Sequence, residues 1–518
     1  MPMHPSPAEG NAFLTFQKRI GPFWWLVMLV LTGYWTLLSA QNISTANIKG
    51  DAGQNLDIAA QIYQTGEFSM HMPSGLEPTN LREPLPILVT ALYFMASGRQ
   101  PDQLTFRNLR TGEPARFVKM HNLGWVFIGL VTVWLLFNAL TSTRWGGGLA
   151  AGITFIFFFN NPYIVDSLYT ELATSVLMLV VSGLMLLAYQ RRNSLLWLAT
   201  GLGMGLLCLT KSAFLYIALV AIVLMAAVML VQRHERSRPL IAAGLMALGL
   251  VVTTAPWMIR NQIMFDSAQI SSGRGGWVLY KRALLNQITP EEFRLAFTLF
   301  GPRSYQALVE DTSLALKPED AKLRTGRMSR LFAGASEFSY DDMVAQAHGE
   351  PDRAISLYRK TSAMHNKLAR ELKQAGHPFP EMAADKQMQS MAMGMLAEHP
   401  LAHLKLTSLM FWRGMWSLPP QLDIPLLPGG RWRAVFIESL NGLAVLALLG
   451  YFAYALIRQN IPLLAFTALP VLMMAFYTLL SQNLPRFFAP TQPMMLMAVL
   501  LLLFHALRPR SGRTSLHA

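Results

Sequence analysis

"PFWWLVMLVLTGYWTLLSA", residues 22–40, is an unbroken apolar run of the length a helix needs to cross a bilayer's hydrocarbon core. It is too long for the apolar stretch of a cleavable signal, and "LLSAQ" is a weak imitation of a cleavage site, so it reads as a retained span. Comparable runs recur near 120–140, 147–162, 169–190, 195–210, 213–231, 239–257, 433–457, 461–480 and 488–507. Composition agrees: 53% of the 518 residues are hydrophobic and only 14% charged, whereas a soluble chain carries about 25% charge. The expected fold is an all-α polytopic membrane protein with about ten transmembrane helices.

The formal charge of +14 would suggest nucleic acid in a soluble protein. Here no basic, aromatic-laced soluble module exists to bind it, and a bilayer explains the excess better. Lys and Arg collect in cytoplasmic loops. With the N-terminus inside, the inner connections hold Lys18 and Arg19, then Arg144, Arg191 and Arg192. Further along they hold Arg233, Arg236 and Arg238, then Arg458, then Arg508, Arg510 and Arg513. "LAHLKLTSLMFWRGMWSL" (401–418) is not counted as a span, because Lys405 and Arg413 interrupt it and an eleventh crossing would put the terminal arginines outside. It reads as an amphipathic helix in the interface, with Trp412 and Trp416 at the headgroups. The lone cysteine, Cys208, excludes an intramolecular disulfide and a cysteine-based metal site.

This topology places two long segments outside and divides the chain into three parts. Residues 1–257 form a transmembrane module with a first outer loop (41–118), residues 258–432 a helical loop domain, and residues 433–518 the last spans and a basic tail. Within the first loop, "LREPLPILVTALYFMASG" has an apolar core too short to span and reads as a re-entrant or interfacial helix. Within the second, Ile355, Tyr358, Leu368 and Leu372 keep helical spacing between Pro351 and the stop signals Gly376 and Pro378. No internal repeat is visible.

Chemistry-bearing residues gather at the outer ends of the spans. "IKGDAGQNLDIAAQIYQTGEFS" (48–69) carries Asp51 and Asp57 soon after the first span. Taken locally, Asp51 is a solvated loop residue and Asp57 the polar edge of an interfacial helix; both are also candidate catalytic carboxylates. In "REP" (82–84), Arg82 either pairs with Glu83 at a helix start, with Pro84 at the first helical position, or serves a ligand. "NNPYIVDSLYTEL" (160–172) brings Asp166 and Glu171 to the bundle mouth, where ionisable groups are costly unless hydrated, paired or useful. Lys211 in "LCLTKSAFLY", Arg260 in "APWMIRNQIMF" and Arg486 in "SQNLPRFFAPTQP" run against the positive-inside trend. Each either snorkels to the headgroups or meets an anionic phosphate. Met388, Met391, Met393 and Met395 read as helix packing, and His71, His365 and His377 share no ligand spacing. "NIS" (42–44) fits a glycosylation sequon, a pattern short enough to arise by chance.

Taken in order, these pieces resemble the GT-C superfamily of integral-membrane glycosyltransferases, in its protein-mannosyltransferase-like and aminoarabinose-transferase-like branch. The matching pieces are Asp51 with "IAAQIYQTGEFS", "REPLPILV", "YTEL", "GLGMGLLCLTK", "APWMIRNQIMF" and "RFFAPTQP". Their order covers nearly the whole chain except 268–400, and each alone is unspecific. The resemblance implies a polyprenyl-phosphate sugar as donor, a glycolipid or protein acceptor, and a bacterial inner membrane with the site facing the periplasm. It implies that Asp51 is essential, that Asp57 or Glu171 assists, with Asp166 a further acid, and that Lys211, Arg82, Arg260 and Arg486 hold the donor phosphate. The family often has a second acid directly beside the first, where this chain has Ala52.

The chemistry is coherent without the name. A phosphate-activated sugar needs no nucleotide, only a base for the acceptor hydroxyl and cations for the departing phosphate, with inversion at the anomeric carbon. No cofactor is required; two carboxylates could hold a divalent cation, though a monophosphate leaving group needs it less. The rival class is a lipid or sugar transporter or flippase. Such proteins carry ionisable groups near mid-membrane and often inverted repeats, and neither shows here.

Overall fold

In a computed structural model, residues 21–507 are described, apart from 73–74, 144, 233–236, 273, 332–335 and 418–429. Lys18, Arg19, Arg144, Arg233, Arg236, Arg508, Arg510 and Arg513, on which the charge pattern draws, therefore lie outside the described residues. The chain is an all-α polytopic membrane protein. Among the described residues, eight helices are long and apolar enough to cross a bilayer: Pro22–Asn42, Gly112–Thr141, Glu171–Arg191, Phe214–Val231, Arg238–Phe265, Arg431–Ile457, Ile461–Leu480 and Pro485–Leu507. Two runs expected as spans form shorter apolar helices, Gly146–Phe159 and Ser194–Thr210. At about 1.5 Å per residue, the 17 residues of the latter reach roughly 26 Å, short of a ~30 Å hydrocarbon layer. The former ends early because Phe155–Phe159 winds as a π-turn and stops at Asn160.

Burial sorts the spans. Pro485–Leu507, Glu171–Arg191 and Ile461–Leu480 are 78%, 72% and 67% buried, whereas Pro22–Asn42 and Arg238–Phe265 are 22% and 28% buried. The first three form the centre and the last two the rim, where apolar side chains are left for lipid. Close packing comes from small residues, as expected where lipid tails remove the hydrophobic drive for helix association. A β-carbon on Gly201 would lie 2.2 Å from the Met246 carbonyl oxygen, so only glycine lets Ser194–Thr210 meet Arg238–Phe265 at this distance.

Arg238–Phe265 continues eight residues beyond the expected end at 257 and carries Pro256 inside. Arg260 thus belongs to a helix and not to a loop. The first polar segment folds onto the bundle end as a helix, Gly50–Thr65, a two-stranded antiparallel ribbon, Ser69–Met72 with Gly75–Pro78, and the apolar helix Pro84–Ala96. The ribbon is absent from the sequence reading. Gly50–Thr65 is packed against protein: Leu56, Ile58, Ala59 and Ala60 are fully buried in a core with Ile87, Ala91 and Phe94 of Pro84–Ala96.

The second polar segment is built of helices joined by turns, with a long turn-rich stretch over 309–331 and no strand among its described residues. Its first helix, Gly275–Leu285, packs against Pro380–Glu398 so tightly that a β-carbon on Gly276 would lie 1.8 Å from the Asp385 carbonyl oxygen. Leu357–Gln374 begins six residues after Pro351, where the Ser356 hydroxyl accepts from the Arg359 N–H. Pro400–Met415 is one-sided: Leu401 and Leu404 are exposed while its other face meets protein. Leu406, Leu409 and Met410 pack it against other helices, Trp412 Nε1 donates to the Phe297 carbonyl at 2.9 Å, and Arg413 donates to the Gln482 carbonyl at 3.1 Å. Trp412 and Arg413 therefore make protein contacts on the packed face.

The Gly201 contact gives a direct check. Gly201→Leu should lower the thermal unfolding midpoint of the detergent-purified protein by an overpacking cost of about 1–3 kcal/mol. Gly183→Leu, with open space around its β-carbon, should leave that midpoint unchanged; equal midpoints for the two variants would refute the contact.

Candidate active site

Asp51 lies in the first turn of Gly50–Thr65, where the helix N-terminus favours a negative charge. Gly50, at φ +58°, sets the entry of this helix, and Gly66, at φ +78°, its left-handed exit. One Asp51 oxygen, Oδ1, accepts from Arg82 at 2.5 Å and from Arg274 at 3.0 Å; Oδ2 lies 3.5 Å from the Arg486 guanidinium. The three arginines come from a helix start, the large insert and the approach to the last span. Arg82 also donates from Nε to Gln54 Oε1 at 2.8 Å, one turn along from Asp51, which fixes the fork. Burial by itself would raise the Asp51 carboxyl, but Arg82 and Arg274 override it and hold the group down to about 2. Burial and the neighbouring Arg274 charge lower Arg82 in turn.

The "REP" step works outward and not as a local pair. Arg82 reaches the Asp51 helix, while Glu83 Oε1 accepts from the Ser212 N–H and hydroxyl at 3.3 and 3.2 Å and from the Ser271 hydroxyl at 3.3 Å. Ser212 adjoins Lys211, whose ammonium lies 3.8 Å from Glu171 Oε1 and donates to the Thr170 hydroxyl at 3.5 Å. Lys211 and Glu171 are each 8% exposed, so Lys211 does not snorkel to headgroups. The second Glu171 oxygen is buried with no hydrogen-bond partner, an open acceptor at the base of the site. Aromatic rings join the two clusters: Arg486 lies over Tyr169 and Phe487, and Lys211 is 5.7 Å from the Phe487 and Tyr477 ring centres.

Three other candidates are engaged elsewhere. Asp57 is buried and accepts from the His71 N–H at 2.9 Å, with the His71 ring Nδ1 2.7 Å away, so it anchors the ribbon. Asp166 binds the Lys119 ammonium at 2.9 Å and the Ser44 N–H at 2.7 Å, tying the exit of the first span to the bundle. Arg260 donates to the Thr79 and Phe68 carbonyls at 3.2 and 3.3 Å and stacks over Trp257, which clamps the ribbon base. The structure thus joins Asp51, Arg82 and Arg486, sets Lys211 with Glu171, and separates Asp57, Asp166 and Arg260 from both. Sequence reading missed Arg274, Glu83 and Lys119. Arg274 stands in "SSGRGGW", where flanking glycines mark a helix entry and nothing marks a partner 223 residues away. Asp51 does not suit a divalent cation, because guanidinium groups surround its oxygens.

Fold and cluster together define the class: a polytopic α-helical membrane protein with an arginine-ringed carboxylate at one end of its bundle. No protein-family model matches the chain, and no curated protein matches it. Among solved structures, it is similar to the archaeal oligosaccharyltransferase AglB from Archaeoglobus fulgidus, in complex with an inhibitory peptide and a dolichol-phosphate. That match has 14% identity and a TM-score of 0.47, covering 95% of this chain and 51% of that one. It is similar to ArnT from Cupriavidus metallidurans bound to undecaprenyl phosphate, at 13% identity and a TM-score of 0.35, covering 94% and 78%. It is also similar to the arabinosyltransferase EmbB from Mycobacterium smegmatis, at 14% identity and a TM-score of 0.33, covering 94% and 42%. The chain spans about half the length of the oligosaccharyltransferase.

The Asp51 cluster carries a pH signature. A carboxyl depressed to about 2 contributes stability above its unfolded value near 3.8, and that contribution is lost as pH falls through about 2. Asp51→Asn should therefore lower stability at pH 7 by on the order of 2 kcal/mol. Unfolding midpoints of variant and wild type should converge between pH 4 and 2; a constant offset across that range would contradict the pairing.

Proposed function

We propose that the chain is a membrane glycosyltransferase of the GT-C type. It moves one sugar from a polyprenyl-phosphate donor to an acceptor hydroxyl, with inversion, at the bundle end that carries Asp51. The observation that carries this reading is a single carboxylate held by three arginines from distant parts of the chain. Such a cluster has a net positive charge and a carboxylate in its centre, the arrangement that a phosphate monoester and a hydroxyl proton both require.

The low position of Asp51 sets the order of events. While Arg82, Arg274 and Arg486 all face it, a carboxylate near 2 is a feeble base. A donor phosphate competes for the same guanidiniums, relieves that hold and lets the carboxyl rise, so base strength is released when donor binds. The acceptor oxygen then attacks the anomeric carbon from the face opposite the phosphate. The carbon–oxygen bond to phosphate breaks, the electron pair leaves with the polyprenyl phosphate, and the hydroxyl proton passes to Asp51. The arginines, with Lys211 beside them, stabilise the departing charge. Glu171, with one unpartnered oxygen, is placed to accept from a sugar hydroxyl. No step requires a metal. The bacterial inner membrane, with the site facing the periplasm, is the setting that fits this donor.

The test is transfer of radiolabelled sugar from a polyprenyl-phosphate donor by protein reconstituted in vesicles. Asp51→Asn should reduce transfer by about 10²-fold or more. It should bind undecaprenyl phosphate at least as tightly as wild type, since the arginines lose their internal competitor. Arg486→Met should weaken donor binding about tenfold or more, a loss on the scale of a charge-assisted hydrogen bond. Turnover unchanged by Asp51→Asn would remove the carboxylate from this role.

A further inference from the structure

A second group of cations lies beyond the Asp51 cluster, and the proposed reaction does not use it. Lys281, Arg282 and Arg413 are enclosed by the large insert where it meets the segment before the last span. Lys281 is 9% exposed and Arg282 fully buried. Lys281 donates to the side-chain oxygen of Gln482, and Arg413 donates to the backbone oxygen of the same residue at 3.1 Å. Their charges therefore converge on one uncharged residue. Arg282 is spent on structure, donating to Asn286, the His403 carbonyl and Thr407. Among the described residues, no carboxylate pairs with any of the three.

This is costly. An ammonium or guanidinium withdrawn from water without an anion forfeits several kcal/mol of hydration. Burial, with the Arg413 charge close by, lowers Lys281 to about 7, and burial lowers Arg413 to about 10. Folding tolerates such a cost most readily where a ligand's anion offsets it. The surroundings suit a sugar. The Lys281 ammonium is 4.7 Å from the Tyr358 ring centre and 5.7 Å from that of Trp277, and the Arg413 guanidinium is 4.0 Å from that of Phe300. Half-buried aromatic faces beside a few fixed polar groups are the usual lining of a small-molecule site.

Position links this group to the reaction. Arg274 caps the helix that carries Lys281, seven residues on, so the two lie on one helix face about 10 Å apart along the axis. Gln482 stands four residues before Arg486 in the adjoining segment. The same two elements that bring Arg274 and Arg486 to Asp51 therefore bring Lys281 to Gln482. The donor's single phosphate is already accommodated at the first cluster, and its lipid tail must run into the bilayer. A second anionic group at this spacing belongs on the acceptor.

We propose that Lys281, Arg413 and Gln482 form an anion subsite for the acceptor, which is a glycan bearing a phosphate or carboxylate roughly 10 Å from the hydroxyl that receives the sugar. This rests on the glycosyltransferase reading, but its test does not pass through transfer. The full chain in detergent is first saturated with undecaprenyl phosphate to fill the arginines at Asp51. It is then titrated by calorimetry with glucose 6-phosphate and, separately, with glucose. Glucose 6-phosphate should bind saturably and glucose at least tenfold more weakly.

Lys281→Met and Arg413→Gln should each weaken glucose 6-phosphate at least tenfold and leave undecaprenyl phosphate affinity within twofold. Lys281→Arg, which keeps the charge, should stay near wild type and guards against a folding defect in the methionine variant. Absence of saturable binding up to 10 mM (about −2.7 kcal/mol on the affinity scale), or equal binding of glucose, overturns the subsite. Loss of undecaprenyl phosphate affinity in Lys281→Met to the extent seen in Arg486→Met assigns these cations to the donor and overturns the acceptor assignment. Sugar-phosphate binding without any transfer activity would instead count against the glycosyltransferase reading alone.

Discussion

One carboxylate holds this site together. Arg82, Arg274 and Arg486 carry like charges that would repel one another at such range, and Asp51 is the group that lets them share a surface. The pairing is only partly exposed, so salt screens it less than an open surface bridge. Everything nearby follows from keeping those four side chains in place. The Asp51 helix is locked into an apolar core with Pro84–Ala96, Gln54 fixes the Arg82 fork, and Asp385 accepts from the Gly276 and Trp277 N–H groups at the start of the helix capped by Arg274.

Other charged groups take up the task of attachment. Asp166 with Lys119 secures the chain as it leaves the first span, and Arg260 clamps the ribbon by its backbone oxygens. Asp57 meets His71 across the gap between helix and ribbon. Each polar segment also buries an apolar core of its own. The paired polar groups add orientation to that apolar packing.

The membrane fold was legible because its signal is compositional: twenty apolar residues in a row need no partner to be understood. Two of the ten expected spans form helices of under eighteen residues: Ser194–Thr210 fills its expected run, and Gly146–Phe159 closes three residues early on a π-turn that apolar length does not show. Asp51 stood out through its place in an ordered set of short motifs. Asp57, Asp166 and Arg260 looked equivalent to it locally, because a residue's type states what bonds it can make and not who makes them. What separates these residues is a partner ring, an ammonium or a pair of carbonyls brought in by tertiary folding. Arg274 was hidden for the same reason, and Glu83 because its adjacency to Arg82 suggested a local pair when each reaches a different element.

Asp51 and Arg486 are separated by 435 residues, nearly the full length of the chain. At roughly 5–20 residues per second, a ribosome needs roughly 20–90 s to pass from one to the other. During membrane insertion the first polar segment therefore waits with its charges hydrated while span after span is threaded. The cluster closes only when Arg486 arrives. A half-inserted chain would hold Asp51 without its full ring.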